Sequence, residues 1–324
     1  MSKVIYYYQR FSLSLLIFLF ISSCNTSQSY TLVENWPNLS PNNVLGQVTG
    51  VGVNSDNQII VFHRGDRGWM DPMPSEKIKL PTIYIFDSKT GSLANSWGNN
   101  EFIMPHGLSV DSDDNIWVTD VGSHEVKKFS SNGILLLTLG EYMISSNDQN
   151  HFARPTDVAF DSKGDVYISD GYWNSRVVKY SKEGNYILEW GKPGDQPGEF
   201  NLPHGIAIDS KDRVYVADRS NSRIQVFNSN GTFISELKGD DLGRPFGVAL
   251  LNHRIYLIDG GDQPDKTRSS VVIIPIGYDE IEEKFDATLH QDKQNLGHDI
   301  AVGLDQSIYV ADAWAKTIRK YQLK

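Results

Sequence analysis

The chain of 324 residues carries 40 acidic and 30 basic residues, giving a formal net charge of −10. An acidic chain offers no basic face to neutralise phosphates, which argues against nucleic acid as a partner. A mean hydropathy of −0.36 argues against a polytopic membrane protein. The length fits either two ordinary domains or one large all-β ring.

The first residues have the composition of a secretion signal. Lys3 and Arg10 precede an apolar run that is too short for a typical membrane-spanning helix. The run ends in ISSC, which resembles a bacterial lipobox, and its Cys24 is the only cysteine of the chain. An ordinary signal peptide with an incidental cysteine is the alternative interpretation.

The lipobox interpretation divides the chain into three parts. We expect residues 1–23 to be a lipoprotein signal peptide, residues 24–29 to hold the lipidated Cys24 and a polar tether, and residues 30–324 to fold. The protein is then expected in the bacterial cell envelope, anchored to the membrane by the lipid on Cys24 and monomeric.

From about residue 48 the chain repeats one pattern at intervals near 50 residues. Each copy contains four short runs of alternating or β-branched residues, separated by Gly, Asn, Asp and Ser turns; the copies beginning at 154 and 203 show this most clearly. Such periodicity indicates a repeat architecture, and four strands per unit match one propeller blade.

Aligning the copies predicts an all-β fold, a six-bladed β-propeller. The last copy has room for only three strands, so we expect the segment 30–36 to supply the fourth strand and close the ring. An open solenoid is the alternative. The aligned positions at the start of the innermost strands are Thr49, His106, Thr156, His204, Phe246 and His298.

Histidine occupies this position in every second blade. The separations, 204 − 106 = 98 and 298 − 204 = 94 residues, are each about two repeats. In a closed ring His106, His204 and His298 would point at one place, and three imidazoles with an open fourth position suit catalytic zinc. The alternative is a turn signature kept by repeat duplication, which would also predict histidine in adjacent blades.

The ends of the second strands hold further polar candidates. Arg64 and Arg219 occupy the same place in blades one and four, which face each other across the ring, and Tyr172 lies one step further in blade three. Opposed arginines beside a metal are expected to bind an anion. The recurrent aspartates are expected to be blade-to-blade hydrogen-bond anchors: Asp120, Asp170, Asp218, Asp259 and Asp312.

The repeat resembles the NHL family, and in particular the peptidyl-α-hydroxyglycine α-amidating lyases (peptidylamidoglycolate lyases). The similarity covers about residues 48–322. It is carried by FHRGD at 62–66, PHGLS at 105–109, DQNHF at 148–152 and SDGY at 169–172. FHRGD and DQNHF are not generic features of NHL repeats, so the resemblance is specific.

The resemblance implies two metal sites. Zinc would be held by the three histidines. The implied ligands of a structural calcium are the carboxylate of Asp299 and the backbone carbonyls of Val51 and Leu108, all hard oxygen ligands. Asp157 occupies the place equivalent to Asp299 in blade three, where we expect only turn capping.

The implied substrate is a peptide ending in α-hydroxyglycine, cleaved to a peptide amide and glyoxylate without redox change. Zinc would act as Lewis acid on the hydroxyl. Arg64 would hold the carboxylate or the developing charge, and Tyr172 would be the general base. A free phenol has a pKa of about 10, so Arg219 and zinc are expected to favour the phenolate.

Two departures from the family stand out. Trp173 stands where a half-cystine would be expected, and the chain contains no copper monooxygenase domain to make the substrate. The substrate could therefore be a related α-hydroxy amide, in either case a small molecule or short peptide. Two other functions stay open: a non-catalytic binding propeller of the envelope, and a calcium-dependent lactonase-type hydrolase, which would need Glu, Asn and Asp around its metal.

An insertion at residues 65–81, containing Trp69 and Met73, interrupts blade one. We expect it to overhang a channel mouth and shape substrate access. Of the remaining histidines, His124, His253 and His290 are expected at the surface.

Overall fold

The computed structural model of the protein describes residues 30–263, 268–278, 280–288 and 295–324. The expected signal peptide, Cys24, the tether and His290 lie outside the described residues, so these assignments stay predictions. Within the described residues, no helix is long and apolar enough to span a membrane; the single helical segment among them is the short 3₁₀ turn Arg219–Asn221.

Six antiparallel four-stranded sheets follow one another around a ring, which confirms the predicted propeller. Strands are numbered in chain order. The innermost strands are Val48–Val53 (β2), Pro105–Val110 (β6), Pro155–Phe160 (β10), Pro203–Ile208 (β14), Pro245–Leu251 (β18) and Gly297–Val302 (β22). The second strands are Ile59–His63 (β3), Ile116–Asp120 (β7), Val166–Asp170 (β11), Val214–Asp218 (β15), Arg254–Asp259 (β19) and Ile308–Asp312 (β23).

The outer half of each blade completes its sheet. The third strands are Ile83–Phe86 (β4), Glu125–Phe129 (β8), Arg176–Tyr180 (β12), Arg223–Phe227 (β16), Ser270–Pro275 (β20) and Thr317–Leu323 (β24). The outer strands are Leu93–Trp97 (β5), Leu135–Leu139 (β9), Tyr186–Trp190 (β13), Phe233–Lys238 (β17), Glu283–Asp286 (β21) and, for blade six, the N-terminal Tyr30–Leu32 (β1).

The N-terminal strand closes the ring as predicted. Strand β1 pairs antiparallel with β24, and Tyr30 lies opposite Leu323. Blade six is therefore built from both ends of the folded region, and this pairing covers an edge of β24 that would otherwise present unpaired backbone groups.

Burial follows position within the blade. The second strands of blades one to four and of blade six are buried at every residue, whereas the outer strands alternate between partly buried and exposed side chains. The apolar clusters lie between neighbouring blades; Ile60 and Phe62 of blade one, for example, pack against Leu108 and Val118 of blade two. Sheet-on-sheet packing of this kind fixes the radial positions of the inner strands and so the site on the ring axis.

The strand-end aspartates are hydrogen-bond anchors, as predicted. Each accepts a backbone N–H from the loop that leads from the preceding blade into the innermost strand of its own blade. Asp120 accepts from Ile103 (2.6 Å) and Met104 (2.8 Å), and Asp170 accepts from Ala153 (2.9 Å). In blade one His63 takes this place, and its Nδ1 accepts the N–H of Gly46 at 3.2 Å.

Candidate active site

His106, His204 and His298 converge on the ring axis. Each is the second residue of its innermost strand, each is buried, and their ring centroids lie 4.6 to 4.8 Å apart. The candidate ligand atoms of all three lie within 4.8 Å of one another. The alternate-blade spacing therefore does bring the three imidazoles together.

Hydrogen bonds to the neighbouring blade orient all three rings in the same way. Each Nδ1 bonds the backbone carbonyl of the residue at the equivalent position in the next blade. His106 bonds Thr156 at 2.7 Å, His204 bonds Phe246 at 2.8 Å, and His298 bonds Thr49 at 2.8 Å. A carbonyl can only accept, so Nδ1 carries the proton and the lone pair of each Nε2 faces the other two rings.

The electrostatics of the three rings suit a metal. Burial lowers the pKa of His106 to about 3, helped by the charges of Arg64 and Arg219, and it lowers those of His204 and His298 well below their usual range. The imidazoles are therefore neutral at neutral pH, the form that ligates metals. Among the described residues Nε2 of His204 has no hydrogen-bond partner although it is buried. The three histidines fit a divalent ion, which would take up that lone pair.

Tyr172 lies beside this cluster. Its hydroxyl is 3.1 Å from Nε2 of His106, and its ring packs edge-on against that imidazole. Burial raises the pKa of the phenol, while the charges of Arg219, Arg64 and Arg154 oppose the rise. The arginines lower the pKa of Tyr172, as expected, but burial raises it by more. Stabilising the phenolate therefore requires further positive charge.

Arg64 is buried at the channel mouth, directly after β3. Its Nε donates to the carbonyl of Pro105 at 3.0 Å and its Nη1 to Oε1 of Gln47 at 2.6 Å, while Trp69 lies 5.1 Å from the guanidinium carbon. Burial lowers the pKa of Arg64 to about 10, which leaves it charged at neutral pH. Sequence reasoning did not identify Gln47, which orients this arginine.

Arg219 holds the equivalent place after β15. Its guanidinium stacks on Phe246 at 3.8 Å and donates from Nη2 to Asp262 at 2.7 Å. Its Nε is buried and has no hydrogen-bond partner among the described residues. Arg64 and Arg219 thus both reach Tyr172 electrostatically, as the register of the repeats predicts.

The insertion in blade one lies over the site. The ring of Trp69 lies 5.2 Å from that of Tyr172 at an interplanar angle of 34°, and Met73 packs with Tyr172 against a small apolar cluster of blade two. The segment therefore lies against Tyr172 through Trp69 and Met73, and its expected effect on substrate access stays a prediction.

A third arginine at the mouth was missed. Arg154 directly precedes β10, is buried, and stacks on Trp173 at 3.8 Å. Its backbone N–H donates to Nδ1 of His124 at 3.0 Å, so the expectation that His124 is a surface residue is wrong. Arg154 directly precedes the innermost strand of blade three, as Gln47 does in blade one. A comparison of this position across the six copies would have identified Arg154 as a candidate site residue.

The implied calcium ligands lie one layer below the histidines. Val51 and Leu108 line a cavity of about 290 Å³ together with Asp157 and Asp299. Asp299 accepts the N–H of Val51 at 2.8 Å, and Asp157 accepts that of Ile206 at 3.0 Å in the opposite half of the ring. Burial raises the pKa of both carboxyls, for Asp157 to about 7, and the charge of Asp157 adds to the rise at Asp299.

Two buried carboxyls that face one axis favour a bound cation, so the oxygen-rich layer fits a hard ion such as calcium. Asp157 lies inside β10 and not in a turn; its carboxylate accepts the N–H of Val158 at 2.8 Å and lines this layer with Asp299. The turn-capping assignment for Asp157 was therefore wrong.

Comparison with known proteins agrees with this architecture. The NHL repeat model matches residues 102–129, 152–180 and 200–227, in blades two to four. The fold is similar to that of virginiamycin B lyase from Staphylococcus aureus (TM-score 0.60, 15% identity, 91% of this chain and 100% of that one). It is also similar to that of a gluconolactonase from Xanthomonas campestris (TM-score 0.62, 10% identity, 87% of each chain). At these identities the likeness shows the fold alone.

Curated relatives are closer in sequence. The "Peptidylglycine alpha-amidating monooxygenase" of Rattus norvegicus is 36% identical over 308 residues, covering 86% of this chain; the chain spans 30% of that protein's length. "Probable peptidyl-alpha-hydroxyglycine alpha-amidating lyase pgal-1" of Caenorhabditis elegans is 35% identical over 245 residues, covering 69% of this chain and 70% of that protein. By fold, repeat and identity, the chain belongs to the peptidyl-α-hydroxyglycine α-amidating lyase family of NHL-repeat proteins.

Proposed function

We propose that this protein is a zinc-dependent lyase that cleaves the C–N bond of a C-terminal peptidyl-α-hydroxyglycine, releasing a peptide amide and glyoxylate. The observation that carries the proposal is the convergence of three neutral, carbonyl-oriented imidazoles beside Tyr172 at a mouth lined by buried arginines. Ligand type favours zinc, because neutral imidazole suits it. When bound, the ion would supply Lewis-acid polarisation of the substrate hydroxyl.

Tyr172 is the proposed general base. Its oxygen lies 3.1 Å from a ligand atom of the cluster, a position from which the phenolate can take the proton of a hydroxyl held there. As the O–H bond breaks, the carbon–oxygen double bond forms and the C–N bond breaks. The departing amide nitrogen takes a proton, which Tyr172 can return.

Arg64 and Arg219 are the proposed anion binders. Both are held by fixed partners, Gln47 and Pro105 for Arg64 and Asp262 for Arg219, so each keeps its orientation without substrate. A substrate carboxylate between these groups would be fixed relative to Tyr172, and the product glyoxylate keeps that carboxylate. Such preorganised charges lower the barrier because they need no reorganisation during reaction.

We propose calcium for the layer of Asp299, Val51 and Leu108, as a structural ion. Carboxylate and carbonyl oxygens are its preferred ligands, and buried carboxyls on the axis need a counter-charge. We also propose that the chain is a monomer tethered to the cell envelope through a lipid on Cys24.

Glyoxylate release from a short synthetic peptide ending in α-hydroxyglycine tests the function directly. Protein loaded with stoichiometric zinc should release equal amounts of glyoxylate and peptide amide, and chelation should stop the reaction. Zinc-loaded protein that binds the peptide without cleaving it would contradict the lyase proposal and favour a binding propeller. Cleavage of a lactone in its place would favour a hydrolase.

A further inference from the structure

Arg154 is a buried cation whose charge acts on Tyr172 but to which the proposed reaction assigns no substrate group. Its side chain is 5% exposed, yet among the described residues its Nε has no hydrogen-bond partner. Its one ion pair is a 3.4 Å contact of Nη2 with Asp71, whose side chain is 68% exposed. A pair with so exposed a partner is screened by water and contributes little. The guanidinium thus retains donor capacity that the fold does not satisfy.

The fold holds this guanidinium in a fixed orientation. It stacks on Trp173 at 3.8 Å, and the ring of Trp69 lies 6.0 Å from it on the insertion. The N–H of Trp173 also donates to the carbonyl of Ala153 at 3.2 Å, which ties the two loops together. Indole faces orient a planar guanidinium while leaving its edge available for an anion.

Arg154 lies at the same blade end as the reacting groups. Pro155, which follows it, pairs with Asp170, two residues before Tyr172. The ring of Trp69 lies 5.2 Å from that of Tyr172 and 6.0 Å from the guanidinium carbon of Arg154. The flanking indoles are open to solvent, 58% exposed for Trp173 and 39% for Trp69. A substrate chain that extends from Tyr172 along Trp69 would therefore meet this arginine with the part that precedes its reacting carbon.

We propose that Arg154 forms an anion subsite at the channel mouth, which selects substrates carrying a carboxylate on the residue that precedes the α-hydroxyglycine. The subsite rests on the proposed lyase function for the identity of the reacting group. Arg64 and Arg219 are the proposed binders of the single α-carboxylate of the substrate. Arg154 is therefore available to bind a second negative charge. Asp71 occupies that place when no substrate is bound.

Paired peptides test the subsite. Two short peptides ending in α-hydroxyglycine would differ only in Glu or Gln before it, and kcat/KM would be measured for each with the zinc-loaded protein. The wild type should prefer the Glu peptide about tenfold, the value of one charge-assisted hydrogen bond. Arg154→Gln should lower kcat/KM for the Glu peptide about tenfold more than for the Gln peptide, which abolishes the preference. Arg154→Lys should retain part of the preference.

Two further variants test the effect of the competing carboxylate and of lost positive charge. Asp71→Asn removes the competing carboxylate and should widen the preference for Glu. Arg254→Gln, in an exposed ion pair with Glu282 on blade five, is the matched control for lost positive charge and should leave the preference unchanged. If the wild type and Arg154→Gln prefer the Glu peptide equally, the subsite is refuted. An equal loss of kcat/KM on both peptides would also refute it, because such a loss indicates a structural role.

A binding measurement separates this proposal from the lyase function. Calorimetry with the same pair of peptides ending in unmodified glycine reports affinity without turnover. If neither hydroxyglycine peptide is cleaved, the lyase proposal fails; a Glu preference in binding that Arg154→Gln removes would still support the subsite. Equal affinities of the wild type for both glycine peptides would refute it.

Discussion

The hydroxyl of Tyr172 lies 3.1 Å from Nε2 of His106, an atom that otherwise faces the other two imidazoles. This contact places a proton-transfer group next to the proposed metal position. Tyr172→Phe removes the proton acceptor but none of the three ligands. We expect turnover of an α-hydroxyglycine peptide to fall by about 10²–10⁴-fold, with bound zinc unchanged.

Zinc content and kcat measured on the same preparation check this. Tyr278→Phe, at an exposed tyrosine of blade five, is the control and should have wild-type activity. Retained turnover in Tyr172→Phe would remove the tyrosine from the role of base.

His204 has the buried Nε2 that lacks a partner among the described residues. His204→Asn should leave two imidazoles at the site, because an amide is a poor zinc ligand, and bound zinc should become substoichiometric. Elemental analysis of purified protein measures the metal. His253→Asn is the matched control, since His253 is exposed on a turn with φ of 61°, which asparagine tolerates. Full zinc occupancy in His204→Asn would contradict the assigned ligand set.

Because of His63, the free energy of unfolding of the protein should fall in acid. Burial lowers its pKa in the folded protein to about 3, from about 6.5 when unfolded. Between these values the unfolded chain binds the proton more readily, so stability falls as pH drops below 6.5, by at most about 1.4 kcal/mol per pH unit for this group. Above pH 6.5 the group has no such effect.

His63→Asn keeps an acceptor for the N–H groups of Gly46 and Gly65 but cannot protonate. The stability advantage of the wild type over this variant should therefore shrink as pH is lowered from 7 to 4. Urea unfolding at several pH values measures the difference. A difference independent of pH would show that His63 is not the titrating group.

Asp299 should link stability to calcium. Asp299→Asn removes the carboxylate of the proposed site, so added CaCl₂ should no longer raise Tm. For the wild type we expect a rise of about 5 °C at a hundredfold excess over Kd, from the free energy of binding to the folded state alone. Asp241→Asn, at a side chain that is 83% exposed, should respond like the wild type. Equal responses of Asp299→Asn and wild type would place calcium elsewhere.

Cys24 is the predicted lipid attachment point. Cys24→Ser should move the protein from the membrane fraction to the soluble envelope fraction and prevent incorporation of labelled palmitate in a bacterial host. Ser27→Ala, in the expected tether, is the control and should remain membrane-bound. A Cys24→Ser chain that stays with the membrane would show that another feature holds it there.

The blade pattern could be predicted because each strand is a local signal: alternating apolar residues bounded by turn residues, repeated six times. The histidine triad followed from the same registers, since equivalent positions in a ring face one axis. Arg64, Arg219 and Tyr172 were also found through register, at the ends of second strands.

Contacts between segments distant in the chain were not accessible in this way. Asp71 reaches Arg154 across 83 positions, and Trp69 covers Tyr172 from an insertion with no repeat counterpart. His124 lies between Ser123 and Glu125 in the sequence, which suggests exposure, but the loop before β10 covers it. The direction of the pKa shift of Tyr172 could not be predicted from the sequence either, because it depends on burial as well as on the nearby arginines.

The alternation of histidine and threonine at the channel wall also determines how the blades are fastened. Histidine Nδ1 joins blades two to three, four to five and six to one, while the hydroxyls of Thr49 and Thr156 donate to Pro105 and Pro203 and join blades one to two and three to four. Phe246 has no polar group to do the same between blades five and six. His298 thus fastens the junction where the two chain ends meet. Between blades five and six, where the backbone is continuous, the N–H of Gly297 donates to the hydroxyl of Ser269 at 2.7 Å, so this junction is fastened from outside the histidine–threonine ring.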